Sequence, residues 1–214
     1  MVNPSVLVLR EFFIALWQRM IEIVYAPWNI KEMLFILLPL IIVLLVIELY
    51  FGRYKYEKLG WNTAVGNSLA LLFVGMNLLY YLYINNAIEI ESAKTILAFI
   101  VCIESLFLLF VNFFHIFPRE AAFGISSPLI LNYVGIASII MVYSSISFDY
   151  LTLVAFIVLF VIFALLLWLI QSLEAPAIPK IELGKEDIVI RKAVFSEGEE
   201  VETVVVGDAV ILFF

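Results

Sequence analysis

AKTILAFIVCIESLFLLFVNFFHIF, residues 93–117, is the stretch that decides the fold. Between Lys94 and His115 it carries one charged side chain, Glu104. A helix needs roughly 20 mostly apolar residues to cross a hydrocarbon core about 30 Å thick. Comparable runs lie near Leu34–Phe51, Asn62–Ile84, Pro128–Ile146 and Tyr150–Ile170. Pro128–Ile146 is the least apolar, with Asn132, Ser138, Ser144 and Ser145. The runs are continuous rather than alternating, which argues against a transmembrane barrel. The 214 residues are 65% hydrophobic and 14% charged, whereas soluble domains run near half apolar and about a quarter charged.

The expected fold is therefore an all-α polytopic membrane protein, with a five-helix transmembrane bundle in residues 31–173. Residues 1–30 read as an N-terminal interfacial amphipathic helix, 174–180 as a Pro-containing linker and 181–214 as a small C-terminal β module. Pro39 lies inside the first span and should kink it. Neighbouring helices can satisfy the freed carbonyl.

Ser5 to Tyr25 has helical periodicity. Glu11, Gln18 and Glu22 share one face, flanked by Arg10 and Arg19, while Phe12, Leu16, Met20 and Ile23 lie opposite with Phe13, Trp17 and Val24. Such a helix lies in the membrane interface, where Trp17 and Trp28 suit the headgroup level. Pro27 is expected to end it. A sixth span is the alternative, at the cost of burying several charges. Those charges also argue against a cleavable signal peptide.

Basic residues set orientation. Arg53, Lys55 and Lys58 follow the first span and Arg119 follows the third, whereas the opposite loops hold Glu89, Glu91 and Asp149. This places the Gly52–Trp61 loop and the tail in the cytoplasm of a multi-pass cell-membrane protein. Arg10, Arg19 and Lys31 then fall outside, against the trend.

Polar residues inside the spans are the candidate functional groups. Glu104 sits near mid-depth, where an ionised carboxylate costs at least about 2.5 kcal/mol. His115 is eleven residues on, roughly 16 Å along a continuous helix, with Asn112 beside the same stripe. In the second span Thr63, Asn67, Asn77 and Tyr81 share an arc. Asparagines in lipid seek partners across helix interfaces. Glu104, His115, Asn112, Asn67 and Asn77 could thus form an intramembrane polar track, read either as a hydrogen-bonded seam or as a hydrated path. Glu48 is expected to pair locally with Arg53 or Lys55. Arg53, Lys55 and Lys58 could hold a lipid headgroup, or form a positive loop beside an aromatic belt. Gly66 and Ala70 permit close helix approach, and Pro118–Pro128 reads as a loop.

Other chemistry finds little support. One histidine and one cysteine, Cys102, exclude most metal sites built from several such ligands. No P-loop or dinucleotide glycine fingerprint occurs, nor a nucleophile elbow or zinc-protease helix. No cofactor or catalytic residue is assigned. The net charge of −7 argues against nucleic acid as a partner.

The tail points to an assembly. Asp187–Phe195, Glu200–Val206 and Ala209–Phe214 read as strands separated by turns. A sheet of roughly 35 residues is marginal alone, and the last strand lacks polar alternation, as strands buried on both faces do. The expected partners are the lipid bilayer and either another copy or another membrane protein. The first functional reading is a non-enzymatic oligomeric subunit or scaffold. The alternative is an oligomeric ion or proton channel, or an ion-coupled transporter, using Glu104; an enzyme acting on a membrane-embedded substrate is the third.

Overall fold

The computed structural model describes residues 4–54, 60–173, 188–194, 200–206 and 209–212. The chain divides into two compact units, Met1–Ala177 and Ile178–Phe214. In the first, the helices are α1 (Pro4–Asn29), α2 (Lys31–Arg53), α3 (Trp61–Ile84), α4 (Ala93–Phe113), α5 (Arg119–Ile125), α6 (Pro128–Tyr143) and α7 (Tyr150–Leu173). Five segments are long and apolar enough to cross a membrane: α2, α3, α4, α5 with α6, and α7. This composition and length are those of an integral membrane protein.

α6 is the central helix. It packs against α2, α3 and α4 and touches α7, and the span from Arg119 to Tyr143 has the largest buried share of the five. Its buried side chains Ile139, Ile140 and Val142 share a core with Leu37 from α2, Leu78 from α3, Ala98 from α4 and Ala155 from α7, while Leu131 joins Leu71, Val101 and Leu108 in a second cluster. α2 and α7 turn most of their surface outward, as lipid-facing helices can without hydrophobic penalty.

The closest helix pair is α3 with α4, and Gly75 is the reason. A Cβ there would lie 2.7 Å from the Cys102 sulfur and 3.0 Å from its backbone nitrogen. Gly66, the expected contact residue, has nothing within 4 Å of that position. The Gly66–Ala70 spacing therefore does not mark the crossing; Gly75, nine residues on, does.

Several boundaries differ from the sequence reading. α1 continues through Pro27 to Asn29; a proline so near the C-terminus forfeits one hydrogen bond at the end of the helix. α4 stops at Phe113 rather than Phe117 because His115 takes a left-handed conformation (φ 54°), and the Ile116 amide donates back to the Val111 carbonyl at 3.0 Å. That is a Schellman closure. Asn86 (φ 50°) closes α3 the same way, with Ala87 N–H to Leu82 O at 2.9 Å. The Pro118–Pro128 segment is not a loop throughout: Arg119–Ile125 forms α5, favoured by Arg, Glu and Ala in its first turn. Pro128 holds Ser127 extended (ψ 145°), and the Ser127 hydroxyl accepts from Ile130 N–H at 3.4 Å, starting α6 anew. α6 ends at Tyr143, not Ile146.

α1 is docked rather than bare. Leu16, Met20 and Ile23 are buried, with α7 and α2 as its main neighbours, while Phe12, Phe13, Trp17 and Val24 of the expected apolar face stay exposed. Arg19 leaves the polar face to clasp the α6–α7 turn. Its Nη1 donates to the two Asp149 carboxylate oxygens at 3.1 and 3.3 Å and to the Thr152 hydroxyl, and its Nε pairs with Glu22 at 3.1 Å. Asp149 also accepts from Thr152 N–H at 2.7 Å, capping α7.

The second unit holds β1 (Ile188–Val194), β2 (Glu200–Val206) and β3 (Ala209–Leu212), antiparallel in the order β1-β2-β3. Ile188 pairs with Val206 and Val194 with Glu200; Val206 then pairs with Ala209 and Thr203 with Leu212. The linker residues 174–180 lie outside the described residues.

The α3–α4 contact is tested by substitution. Gly75→Leu overpacks it and should lower stability by about 1–3 kcal/mol. Gly66→Ala should leave stability unchanged or slightly raised, because alanine is the better helix former. Thermal unfolding in detergent checks both; equal losses at the two positions would contradict the assignment.

Candidate functional site

The polar groups of the spans gather in two places, one at each end of the bundle. Near the end shared by Trp61, His115 and Phe123, the centre is Asn112. It is fully buried in α4. Its Nδ2 donates to Ser68 Oγ at 2.9 Å and Ser126 Oγ at 2.7 Å, with the Ala64 carbonyl at 3.4 Å. The Ser68 hydroxyl donates to Ala64 O at 2.9 Å. Asn67 Nδ2 donates to the Ser126 carbonyl at 2.9 Å. Asn67 and Asn112 therefore converge on one residue, the C-cap of α5, and bind α3, α4 and α5 together. Asn112 Oδ1 is buried without a partner among the described residues.

At the opposite end Asn77 meets α6, not α4. Its Oδ1 accepts from the Tyr143 hydroxyl at 3.0 Å, and Tyr143 stacks on Tyr81 with centroids 3.7 Å apart. These residues line an open cleft of about 570 Å³ with Tyr80, Asn85 and Glu32. Lys94 closes the nearby α6 terminus, donating to Ser144 O at 2.7 Å.

The other sequence candidates separate. His115 is off the α4 helix and exposed, stacked on Trp61 with centroids 4.1 Å apart. α4 ends two residues before it, so His115 does not continue the Glu104 stripe. Glu104 is half-buried and makes no hydrogen bond or ion pair among the described residues. Among the described residues Glu48 makes no ion pair with Arg53: Gln171 of α7 donates to its carboxylate at 3.1 Å and its carbonyl at 3.0 Å. Arg53 is exposed at the end of α2; Lys55 and Lys58 lie outside the described residues. Among the described residues no three His, Cys, Asp or Glu side chains are placed to hold a metal ion.

Three participants escaped the sequence reading. Ser68 and Ser126 are small polar residues with no distinctive spacing. Asp149, by contrast, had a signal: an aspartate directly before a long apolar run and three residues before Thr152, the pattern of a helix cap.

Comparisons with known proteins reach only a small part of the chain. No protein-family model matches it, and no solved structure does. A stretch of 35 residues is 86% identical to valine–tRNA ligase of Thermococcus kodakarensis and 77% identical to that of Pyrococcus furiosus. The ligase of Pyrococcus abyssi is 71% identical over the same length. Each match takes in 16% of this chain and 4% of the ligase. The chain thus spans about 4% of the length of the curated relatives it matches.

Two measurements probe these contacts. Asn112→Val removes the donor shared by Ser68 and Ser126 and should destabilise by about 1–3 kcal/mol, read by thermal unfolding; an unchanged midpoint would contradict the seam. The second concerns Asp149, whose carboxyl is held below its ordinary value first by the Thr152 amide, then by the Thr152 side chain and the Arg19 charge. A lowered folded pKa adds stability above the unfolded value, near 3.9, and that stability is lost as pH falls through the folded value. The melting difference between wild type and Asp149→Asn should be constant from pH 7 to about 5 and shrink as pH falls below the unfolded value and through the folded one. A difference independent of pH would contradict the clasp.

Proposed function

We propose that the protein is a non-enzymatic subunit or scaffold of the cell membrane that assembles with a second copy or with another membrane protein. The observation carrying this reading is Glu104. A half-buried carboxylate in the middle of a spanning helix, with no partner among the described residues of its own chain, calls for a group from outside, since such residues normally face a protein or aqueous environment. The seam adds to it: Asn67 and Asn112 hold helices together, as static packing requires.

The tail supplies a second support. The ligase-like stretch has the length of residues 180–214, the polar part of the chain, and we assign it there. A segment common to a large ligase and a membrane protein suits a transferable assembly module, and its acidic balance favours a protein partner over nucleic acid. On this reading the tail faces the cytoplasm, as the basic Arg53 and Arg119 ends suggest. A match to 4% of each ligase gives no ground for ligase chemistry.

The competing reading, an ion or proton path through Glu104, is less favoured. It would draw on Asn112, whose amide is engaged on Ser68 and Ser126, and on His115, which stacks against Trp61 outside α4.

Native mass spectrometry of protein extracted from its own membranes tests the proposal. The expected species is a multiple of the 24.4 kDa protomer or a stoichiometric complex with one other membrane protein. Deletion of residues 180–214, or Glu104→Leu, should reduce it. A strict monomer without companions, unaltered by either change, would overturn the assembly reading. Proton or cation flux in liposomes that is lost with Glu104→Gln would transfer the function to the channel.

A further inference from the structure

We propose that the cleft between the ends of α2, α3 and α6 is a binding site for an organic ammonium group. The cleft is open and about 570 Å³ in volume, far larger than a bare metal ion requires. Among the described residues, no Lys, Arg or His lines it. Its one charged lining residue is Glu32, in the first turn of α2. Glu32 has no ion pair among the described residues; Lys31, beside it in the chain, is exposed and does not line the cleft. Arg19 is held by Glu22 and Asp149, and Lys94 donates to the Ser144 carbonyl.

The remaining lining fits the same ligand class. Tyr80, Tyr81 and Tyr143 supply aromatic rings, whose faces attract cations. Tyr81 and Tyr143 are already stacked, and the Tyr143 hydroxyl is fixed on Asn77, so this wall is set before a ligand arrives. Asn77 and Asn85 add amide oxygens, and a primary ammonium has three donors to satisfy. A carboxylate, aromatic faces and neutral acceptors, with no cation among the described lining residues, form a set that an anion would avoid. Glu89 and Glu91, on the loop at the same end of the bundle, add negative charge there. The ammonium can come from a free amine or from the headgroup of an aminolipid, because the cleft opens at helix ends.

The test uses the full chain and ethanolamine as probe. Thermal unfolding is followed in detergent with increasing ethanolamine, and separately in nanodiscs with or without phosphatidylethanolamine. Sodium acetate at matched ionic strength is the control. The expected result is a saturable rise in melting temperature in at least one arm, lost in Glu32→Gln and weakened at least about threefold in Tyr143→Phe. A response to ethanolamine in detergent assigns a free amine; a response to the lipid alone assigns a headgroup. Glu32 is exposed, so Glu32→Gln should fold, and its unliganded melting temperature checks this. No saturable response in either arm, a response matched by acetate, or full retention in Glu32→Gln would each overturn the site.

Discussion

A buried amide in a medium without water sets the terms for this bundle. Asn112 must find its hydrogen bonds inside the protein, and its amide nitrogen finds them on Ser68 and Ser126, while Oδ1 has no partner among the described residues. In hydrocarbon an unpaired polar group costs several kcal/mol, so the register of α3 against α4 cannot drift without leaving it stranded. Gly75 permits the same register from the steric side, since only a missing Cβ lets the two backbones approach at Cys102. One contact attracts and the other allows. Together they explain why α3 and α4 form the tightest pair although their apolar surfaces gain nothing from leaving lipid.

The rest of the bundle repeats this pattern. Gln171 reaches Glu48 across α7 and α2, the Tyr133 hydroxyl donates to the Phe156 carbonyl between α6 and α7, and Tyr143 bonds Asn77 between α6 and α3. Outside the spans, Asp149 caps α7 and anchors α1 through Arg19. Several helix pairs are thus marked by a directional bond laid over non-directional packing. Glu104 stands apart from that pattern, which is why it bears on what the chain assembles with.

Much of this was legible in the sequence, and the failures share a cause. The apolar runs located all five spans, because spanning length is a count that local detail cannot disturb. Helix ends were less visible. His115 and Asn86 terminate helices without glycine or proline, and α5 hides between two prolines. Asn67 and Asn112 stood out because asparagine in lipid demands a partner, but the identity of that partner did not: Ser126 lies on a helix the sequence presented as a loop. Proximity along the chain pointed Glu48 to Arg53, whereas its hydrogen-bond partner is Gln171, more than a hundred residues away.

The close approach of Gly75 to Cys102 implies that α3 and α4 are sealed against each other rather than lining a watery path. The chain's single cysteine, Cys102, sits at their crossing beside Gly75 and is 8% exposed. Its labelling by a water-soluble maleimide, in native membranes and after unfolding in dodecyl sulfate, reports directly on that contact. A sealed interface predicts no labelling of the folded protein and full labelling once it unfolds. Rapid labelling of Cys102 in the folded protein would show water between the two helices and contradict the account.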